Sequence, residues 1–245
     1  MKLAAVGDIH CGADCRGTLQ PIFAAAAEQA DVLLLLGDLT RYGRREEIEL
    51  LLEELRPALS IPVIAVLGNH DFESGNENEV MSLLSDAGVK VLDGTSTTIG
   101  SVGFAGVKGF GGGFGRRALT PWGEPAIKAF VQAGADEAMK LERALAELRT
   151  ESKVVLLHYS PIHETIVGEP EQIAPFLGST RLEEPIDRFR ADIVFHGHAH
   201  YGSLEGRTKS GIPVYNVAMP LLAQRYENQP PFRIHHLPTS EAVAP

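Results

Sequence analysis

The sequence predicts an α/β fold in which core parallel strands have antiparallel edges and are divided between two packed sheets. The first reason is a series of apolar runs of four to six residues, each closed by Gly, Asp, Asn or His. Such runs are typical of strands that are buried on both faces. The second reason is that helical patterns alternate with these runs, as they do in α/β proteins. The third is that two segments carry short strands between turn residues, which is typical of hairpins.

Each predicted element follows from its own pattern. The core strands are predicted at KLAAVGD, VLLLLGD, PVIAVLGN, KVVLLHY and DIVFHGH. The hairpin segments are VKVLDGTSTTIGSVGFAGVKGF and GSLEGRTKSGIPVYNVAM, and His235 and His236 predict an edge strand. Helical periodicity of the apolar side chains predicts helices over 18–30, 44–56, 78–87, 124–149 and 182–190, with a break near Gly134 left open.

Length and composition indicate a globular chain. Its 245 residues are 44% hydrophobic and 22% charged, which is ordinary for such a protein. We expect one domain over 1–238 and a frayed tail over 239–245. The net charge of −10 argues against bulk binding of DNA or RNA, which needs a basic face. No apolar run approaches the roughly 20 residues that span a bilayer, and the N-terminus lacks a signal-peptide pattern, so we expect a cytoplasmic protein without a membrane partner.

The two cysteines, Cys11 and Cys15, are four positions apart. This spacing is unfavourable for a disulfide and matches no zinc-knuckle pattern. We therefore expect free thiols in a reducing compartment.

Side chains that bind metals follow the five predicted core strands. α/β proteins place their chemistry just past the carboxyl ends of buried parallel strands, and these ends converge if the strands lie side by side. The residues found there are Asp8, His10, Asp38, Asn69, His70, Asp71, His158, His198 and His200.

The types of these side chains indicate two metal ions. Carboxylates, imidazoles and one amide oxygen, without thiolate, suit Mn, Fe, Zn, Ni or Co rather than a structural zinc site. The set is too large for one ion, but one carboxylate can bridge two. Each ion would then have about four protein ligands and keep positions for water and substrate. Each motif alone is common by chance, whereas five of them at five strand ends have no structural explanation.

In this order, GDIH, GDLT, GNHD, LLHYS and GHAH resemble the calcineurin-like metallophosphoesterase superfamily, and most of all its small bacterial phosphodiesterases and phosphatases. The motifs extend from residue 7 to residue 200, so the resemblance covers most of the chain. It implies a four-layer αββα sandwich of two mixed sheets. The motifs are specific for the superfamily and carry little information about the substrate.

The resemblance also implies roles for the residues at the strand ends. One ion would be bound by a carboxylate and two imidazoles, those of Asp8, His10 and His200. The other would be bound by an amide oxygen and two imidazoles, those of Asn69, His158 and His198. Asp38 would bridge both ions. His70 would face the substrate without binding metal, and Asp71 would orient it or stabilise its charge.

The activity implied is hydrolysis of a small phosphate ester, most of all a phosphodiester. A metal-bound hydroxide would attack phosphorus, since metal binding lowers the pKa of water to near neutrality. Protonated His70 would stabilise the developing charge or protonate the leaving oxygen. A phosphomonoesterase or protein phosphatase on the same site is the alternative among enzymes. A non-catalytic metal-binding scaffold is the alternative from another class, but it predicts eroded ligands, and here every ligand position is filled. The identity of the metals and the oligomeric state, a dimer included, stay open.

Four residues near the motifs are candidates for contact with the substrate. Arg41 and Tyr42 follow GDLT and lie either against the substrate or on a solvated approach to the next helix. Arg116 belongs to the Gly-rich segment 107–123, which is either a flexible surface loop or a mobile rim over the metals. His163 follows LLHYS and lies in a loop or at the rim.

Three histidines alternate in HGHAH, namely His196, His198 and His200. Alternate side chains of an extended segment point the same way, so the spacing alone favours all three as ligands. The implied ligand set uses only the last two. We therefore expect His196 to be a strand-end histidine or to support the site, and its loss to matter less than that of either neighbour. Because the implied ligand set is already complete, we also expect Cys11 to pack beside the site and not to bind metal.

Overall fold

A computed structural model describes residues 1–226 and 229–238 of the chain, and the predicted frayed tail, 239–245, lies outside the described residues. The strands, in chain order, are β1 (Lys2–Val6), β2 (Val32–Leu36), β3 (Val63–Val66), β4 (Lys90–Val91), β5 (Thr95–Ile99), β6 (Val102–Val107), β7 (Ser152–Leu157), β8 (Ile193–His196), β9 (Glu205–Arg207), β10 (Pro213–Asn216) and β11 (Arg233–His236). The helices are α1 (Gln20–Gln29), α2 (Arg45–Leu55), α3 (Glu77–Asp86), α4 (Pro125–Glu147), α5 (Ala174–Leu177), α6 (Thr180–Arg188) and α7 (Met219–Arg225).

The strands form two mixed sheets. The first has the order β11-β1-β2-β3-β4, and the second has the order β5-β6-β7-β8-β10-β9. In each sheet the inner strands run parallel, whereas β11, β5 and β9 pair antiparallel at an edge. The predicted parallel core with antiparallel edges is therefore confirmed, and so is the edge strand at His235 and His236.

The core strands are buried on both faces, which explains why their apolar runs show no polar alternation. In β2, Leu34 lies between the sheets with Phe104 and Phe195. Its neighbour Leu35 points to the opposite face and lies with Phe23 of α1. Helices α2 and α3 complete that outer layer, and α4 and α6 cover the far face of the second sheet. The four-layer αββα sandwich is confirmed, with burial of apolar surface as its main stabilising term.

The helices agree with their predicted positions, with two differences. Helix α4 runs without a break through Gly134, where a Cβ atom would lie 2.8 Å from the carbonyl oxygen of Gly111. This glycine allows close packing and does not interrupt the helix. Helices α5 and α7 were not predicted, because four and seven residues are too few for a clear helical period. In the described portion of the chain, no helix combines the length and the apolar character needed to cross a membrane.

A disulfide joins Cys11 and Cys15, which corrects the expectation of free thiols. The segment between them turns back, because the N–H of Cys15 donates to the carbonyl of Gly12. The two Cα atoms lie 5.5 Å apart as a result, within the usual range for a disulfide. A spacing of four residues does not exclude pairing when the intervening residues form a turn.

Candidate metal centre

The predicted ligands meet at the carboxyl ends of β1, β2, β3, β7 and β8, where the two sheets come together. The N–H of Asp8 donates to the carbonyl of Gly37 at 2.9 Å, which joins the loops after β1 and β2. Across the sheets, Nδ1 of His158 donates to the carbonyl of Leu36 at 2.9 Å. The loops that carry the ligands are therefore braced against one another.

Four of the ligand residues have a left-handed backbone. The φ angles of Asp8, His10, Asp38 and His198 are 55°, 47°, 48° and 69°. Such angles are uncommon outside glycine and tend to cluster at functional sites. Here the chain turns sharply directly after β1, β2 and β8, and the turns direct carboxylate and imidazole groups into one place.

Two glycines allow the backbone to approach the carboxylates closely. A Cβ atom on Gly68 would lie 2.1 Å from Oδ1 of Asp38, and one on Gly197 would lie 2.2 Å from Oδ2 of Asp8. Any larger residue would displace a carboxylate at either position. The glycines of GNHD and HGHAH are thus required by the geometry of the site.

The potential ligand atoms form three overlapping groups, with atoms in each group within 4.8 Å of one another. The groups are Asp8 with His10 and His200, Asp38 with His158 and His198, and His10 with Asp38 and His70. Oδ2 of Asp38 lies 3.8 Å from Nε2 of His10, and Oδ1 lies 3.3 Å from Nε2 of His158. Asn69 joins the second group, because its Oδ1 lies 3.0 Å from the same Nε2. One oxygen of Asp38 therefore faces each of the first two groups, as a bridging carboxylate requires.

Further observations indicate that these residues are suited to bind two metal ions. Nε2 of His10 is buried and has no hydrogen-bond partner among the described residues. Asp8 and Asp38 are 1% and 2% exposed, and buried carboxylates need compensating cations. The donors are all oxygen and nitrogen, which suits the transition ions expected from the sequence.

The pKa values show where the site favours a positive charge. Burial lowers the pKa of His158, but the nearby carboxylates of Asp38 and Asp8 outweigh it and raise the pKa to about 9. Burial raises the pKa of Asp38, yet His158 and the N–H of His70 hold it well below its usual range. Burial lowers the pKa of His198 to about 3, and its Nε2 donates to the carbonyl of Phe176 at 3.2 Å. His198 is therefore neutral and has Nδ1 left for coordination.

His70 is held by its backbone and by its ring. Its N–H donates to Oδ1 of Asp38, and its Nδ1 donates to the carbonyl of Arg41, each at 2.8 Å. A carbonyl only accepts, so Nδ1 carries a hydrogen and Nε2 is the atom available to a substrate. The ring of His10 lies 4.7 Å away, so His70 stands beside the first ligand group.

Asp71 hydrogen-bonds to the loops after β2 and β3. It is fully buried and accepts hydrogen bonds from the N–H groups of Thr40 and Gly68, both at 2.8 Å, and from the Thr40 hydroxyl at 2.7 Å. Burial and the charge of Asp38 raise its pKa. The ring of His70 is oriented by the carbonyl of Arg41. Asp71 thus links the loops after β2 and β3, and stabilisation of the charge of His70 by its carboxylate stays a prediction.

Comparison with known proteins decides the family. A family model for the calcineurin-like phosphoesterases matches residues 1–202, a range that includes every predicted ligand. The chain belongs to this family. Such phosphoesterases typically bind a dinuclear metal centre, and this one carries candidate ligand groups for it.

Three solved structures share the phosphoesterase fold. Phosphopantetheinyl hydrolase from Mycobacterium tuberculosis has a TM-score of 0.70 and 17% identity, over 100% of this chain and 98% of that chain. The protein TT1561 from Thermus thermophilus has a TM-score of 0.57 and 20% identity, over 90% of both chains. A putative 5′-nucleotidase from Staphylococcus aureus has a TM-score of 0.53 and 16% identity, over 88% of this chain and 48% of that chain. No curated protein matches the chain significantly in sequence. Identities this low show the fold alone.

Two of the residues expected near the substrate lie in the loop after β2. The guanidinium of Arg41 donates to Asp14 at 2.8 Å, so its side chain is directed to that carboxylate while its carbonyl holds His70. Tyr42 is 42% exposed, and the guanidinium of Arg44 lies 5.0 Å from its ring centre. Contact of either side chain with a substrate stays a prediction.

The other two lie farther along the phosphoesterase chain. Arg116 is exposed, and the Gly-rich segment that carries it is anchored where the N–H of Gly112 donates to the carbonyl of Pro175 at 2.7 Å. The ring of His163 lies 5.7 Å from that of Phe114, beside a cavity of about 230 Å³ whose lining contains none of the predicted ligands. In the described part of the chain, neither side chain hydrogen-bonds to a ligand, and the role of the segment as a lid stays a prediction.

His196 is the last residue of β8 and hydrogen-bonds within the protein. This agrees with the implied ligand set, which uses only the other two histidines of HGHAH. His196 is completely buried, its Nδ1 donates to the carbonyl of Gly197, and its Nε2 accepts from the Thr165 hydroxyl, both at 2.8 Å. Burial lowers its pKa to about 4, so the ring is neutral and satisfied within the protein.

We expect His196→Leu to lower the free energy of unfolding by about 1–3 kcal/mol, because it removes two buried hydrogen bonds. The Thr165 hydroxyl then keeps its contact with the Ser160 hydroxyl, and the Gly197 carbonyl keeps the N–H of Ala199. Urea unfolding measures this loss, and metal analysis of the same sample should show an unchanged ion content. His198→Leu is the matched comparison and should lose metal. Loss of an ion from His196→Leu would contradict its supporting role.

Proposed function

We propose that this phosphoesterase hydrolyses small phosphate esters at a two-metal centre and prefers phosphodiesters. The observation that supports this most is the position of Asp38, which presents one carboxylate oxygen to each of two ligand groups. Pairs of ions about 3.5–4 Å apart that share ligands are a common arrangement in phosphoryl-transfer enzymes. When bound, the ions would activate water as the nucleophile and neutralise charge on the phosphoryl group.

The residues of the chain supply the remaining functions. Asp8 and Asp38 would hold the cations in place, and the imidazoles complete the two ligand groups. His70 would act through Nε2, since its Nδ1 hydrogen is engaged by the carbonyl of Arg41. In its protonated form, this histidine would donate to a phosphoryl oxygen or to the leaving oxygen. Asp71 would keep the loops after β2 and β3 in register and so position both Asp38 and His70.

The preference for phosphodiesters is supported by the surface around the ligands. Phe176, whose carbonyl accepts from His198, is 57% exposed, and Tyr201, which follows His200, is 63% exposed. Exposed aromatic side chains on this rim can pack against an organic group attached to phosphorus. The fold neighbours bear the names of a phosphopantetheinyl hydrolase and a putative 5′-nucleotidase, so the fold alone does not select one class of ester.

We expect metal analysis to find about two transition ions per chain. The Mn-loaded protein should hydrolyse bis-p-nitrophenyl phosphate with a higher kcat/KM than p-nitrophenyl phosphate. Removal of the ions with a chelator should abolish both activities, and added Mn should restore them.

A cyclic nucleotide and a phosphopeptide complete the panel of substrates. Preferred turnover of the monoester would favour a phosphomonoesterase, and preferred turnover of the phosphopeptide would favour a protein phosphatase. A metal-loaded protein that hydrolyses none of these substrates would contradict the proposed function.

A further inference from the structure

We propose that Lys108 binds a second anionic group of the substrate beside the metal centre. This inference rests on the proposed function, because it assumes a phosphate ester in the site. Lys108 directly follows β6, and β6 pairs with β7, whose end carries His158. The lysine thus occupies the same kind of strand-end position as the ligands, although it does not bind metal.

The backbone and the side chain of Lys108 place its ammonium next to the second ligand group. Its carbonyl accepts from the N–H groups of His158 and Tyr159, at 3.0 and 3.1 Å. Its Nζ lies 5.2 Å from the centre of the Tyr159 ring, and that ring lies 4.3 Å from the ring of His198. The ammonium and the His198 imidazole therefore both contact the same aromatic ring.

Two further rings complete a cage around Nζ. The ring centres of Phe72 and Phe110 lie 5.3 and 5.0 Å from it. Phe72 follows Asp71 in the GNHD loop, so the cage lies between that loop and the loop of His158. Aromatic faces stabilise a cation at this distance, but they do not satisfy its N–H groups as an anion does.

The ammonium is short of hydrogen-bond partners. It has three donors, and among the described residues its hydrogen bond goes to the carbonyl of Gly109 at 2.9 Å. Lys108 is partly buried and forms no ion pair in the described part of the chain. The nearby acids are engaged elsewhere, since Glu137 accepts from the N–H of Gly109 and pairs with Lys140, and Asp93 also pairs with Lys140. A partly buried cation without a carboxylate partner is suited to an anionic ligand.

The position of this cation indicates the class of substrate. A group bound by Lys108 would lie next to Tyr159 and so beside the second ligand group, which contains His158 and His198. The two metal ions would already take the phosphoryl group that is cleaved. We therefore infer a phosphate ester that carries a further phosphate or carboxylate on one of its organic arms.

A pair of matched ligands tests this inference. Thymidine 5′-monophosphate and thymidine 3′,5′-bisphosphate differ by one phosphate, and their binding to the Mn-loaded protein is measured by calorimetry. We expect the bisphosphate to bind at least about tenfold more tightly, the size of one charge-assisted hydrogen bond. Lys108→Met should remove this preference, and Lys108→Arg should keep most of it. Lys128→Met removes an equal charge from an exposed position on α4 and should leave the preference intact.

The same outcomes separate this inference from the proposed function. Equal affinities in the natural protein, or a preference that survives in Lys108→Met, would overturn the role of Lys108. Thymidine 5′-(p-nitrophenyl phosphate), with and without a 3′-phosphate, provides the matched pair of phosphodiester substrates. Hydrolysis of both without discrimination would leave the proposed function in place and reject the anion site. Tighter binding of the bisphosphate without hydrolysis of either ester would support the anion site at Lys108 and reject the proposed function.

Discussion

Asp38→Asn is expected to remove both metal ions and nearly all activity. The amide keeps the shape of the side chain and one oxygen. In the natural protein, Oδ1 of Asp38 accepts a hydrogen bond from the N–H of His70 at 2.8 Å, and the amide oxygen can still accept it. The substitution removes the negative charge that two cations would share and replaces one donor oxygen with an NH₂ group. Metal content should fall from about two ions per chain to a small fraction of one. Turnover should fall by more than about 10³-fold, the upper range for loss of one electrostatic group, because both ions leave together.

Glu54→Gln is the matched control for this variant. Glu54 is also a buried carboxylate, and it accepts hydrogen bonds from the N–H groups of Leu19 and Gln20 at the start of α1, at 2.9 and 3.1 Å. Its neutralisation should cost stability without loss of metal. Measured together, the two variants separate the role of a bridging ligand from the general cost of altering a buried carboxylate. An Asp38→Asn protein that keeps one ion would show two independent sites, and one that keeps both would reject the bridge.

The order of the layers and the location of the site were predictable because both depend on local patterns. Apolar runs without alternation require cover on both faces, and β2 shows this with Leu34 and Leu35 on opposite sides. The polar residues that close these runs converge because parallel strands end at the same edge. The short helices α5 and α7 were not predictable in this way, because their few residues owe their conformation to tertiary contacts.

Specific contacts of individual side chains were the part that the patterns did not reveal. Asp71 adjoins His70 in sequence, which suggested a pair, but its carboxylate turns inward to Thr40 and Gly68. Cys11 and Cys15 meet because the intervening residues form a turn, which their spacing does not show. Lys108 offered a usable signal, since it closes an apolar strand as the ligands do. That signal was missed because lysine is not a metal ligand.

His70→Ala is expected to leave the metal content unchanged and to lower kcat by at least about 10²-fold, the usual contribution of a positioned acid or base. The reason is the geometry of the ring, whose Nδ1 donates to the carbonyl of Arg41 and whose Nε2 is left for the substrate. One grouping of potential ligands does include His70, together with His10 and Asp38. Metal analysis of the variant therefore decides between the two roles. A lost ion would make His70 a ligand, and an unchanged kcat would reject it as a catalytic residue.

The choice of leaving group then resolves what His70 does. If Nε2 protonates the leaving oxygen, the loss in His70→Ala should be larger for an alkyl ester than for a p-nitrophenyl ester, because p-nitrophenolate leaves readily without a proton. If Nε2 stabilises charge on the phosphoryl oxygens instead, both esters should lose a similar factor. His236→Ala, at an exposed position in the edge strand, is the control and should match the natural protein with both esters. The ratio of the two losses thus measures how far the proton has moved towards the leaving oxygen in the transition state.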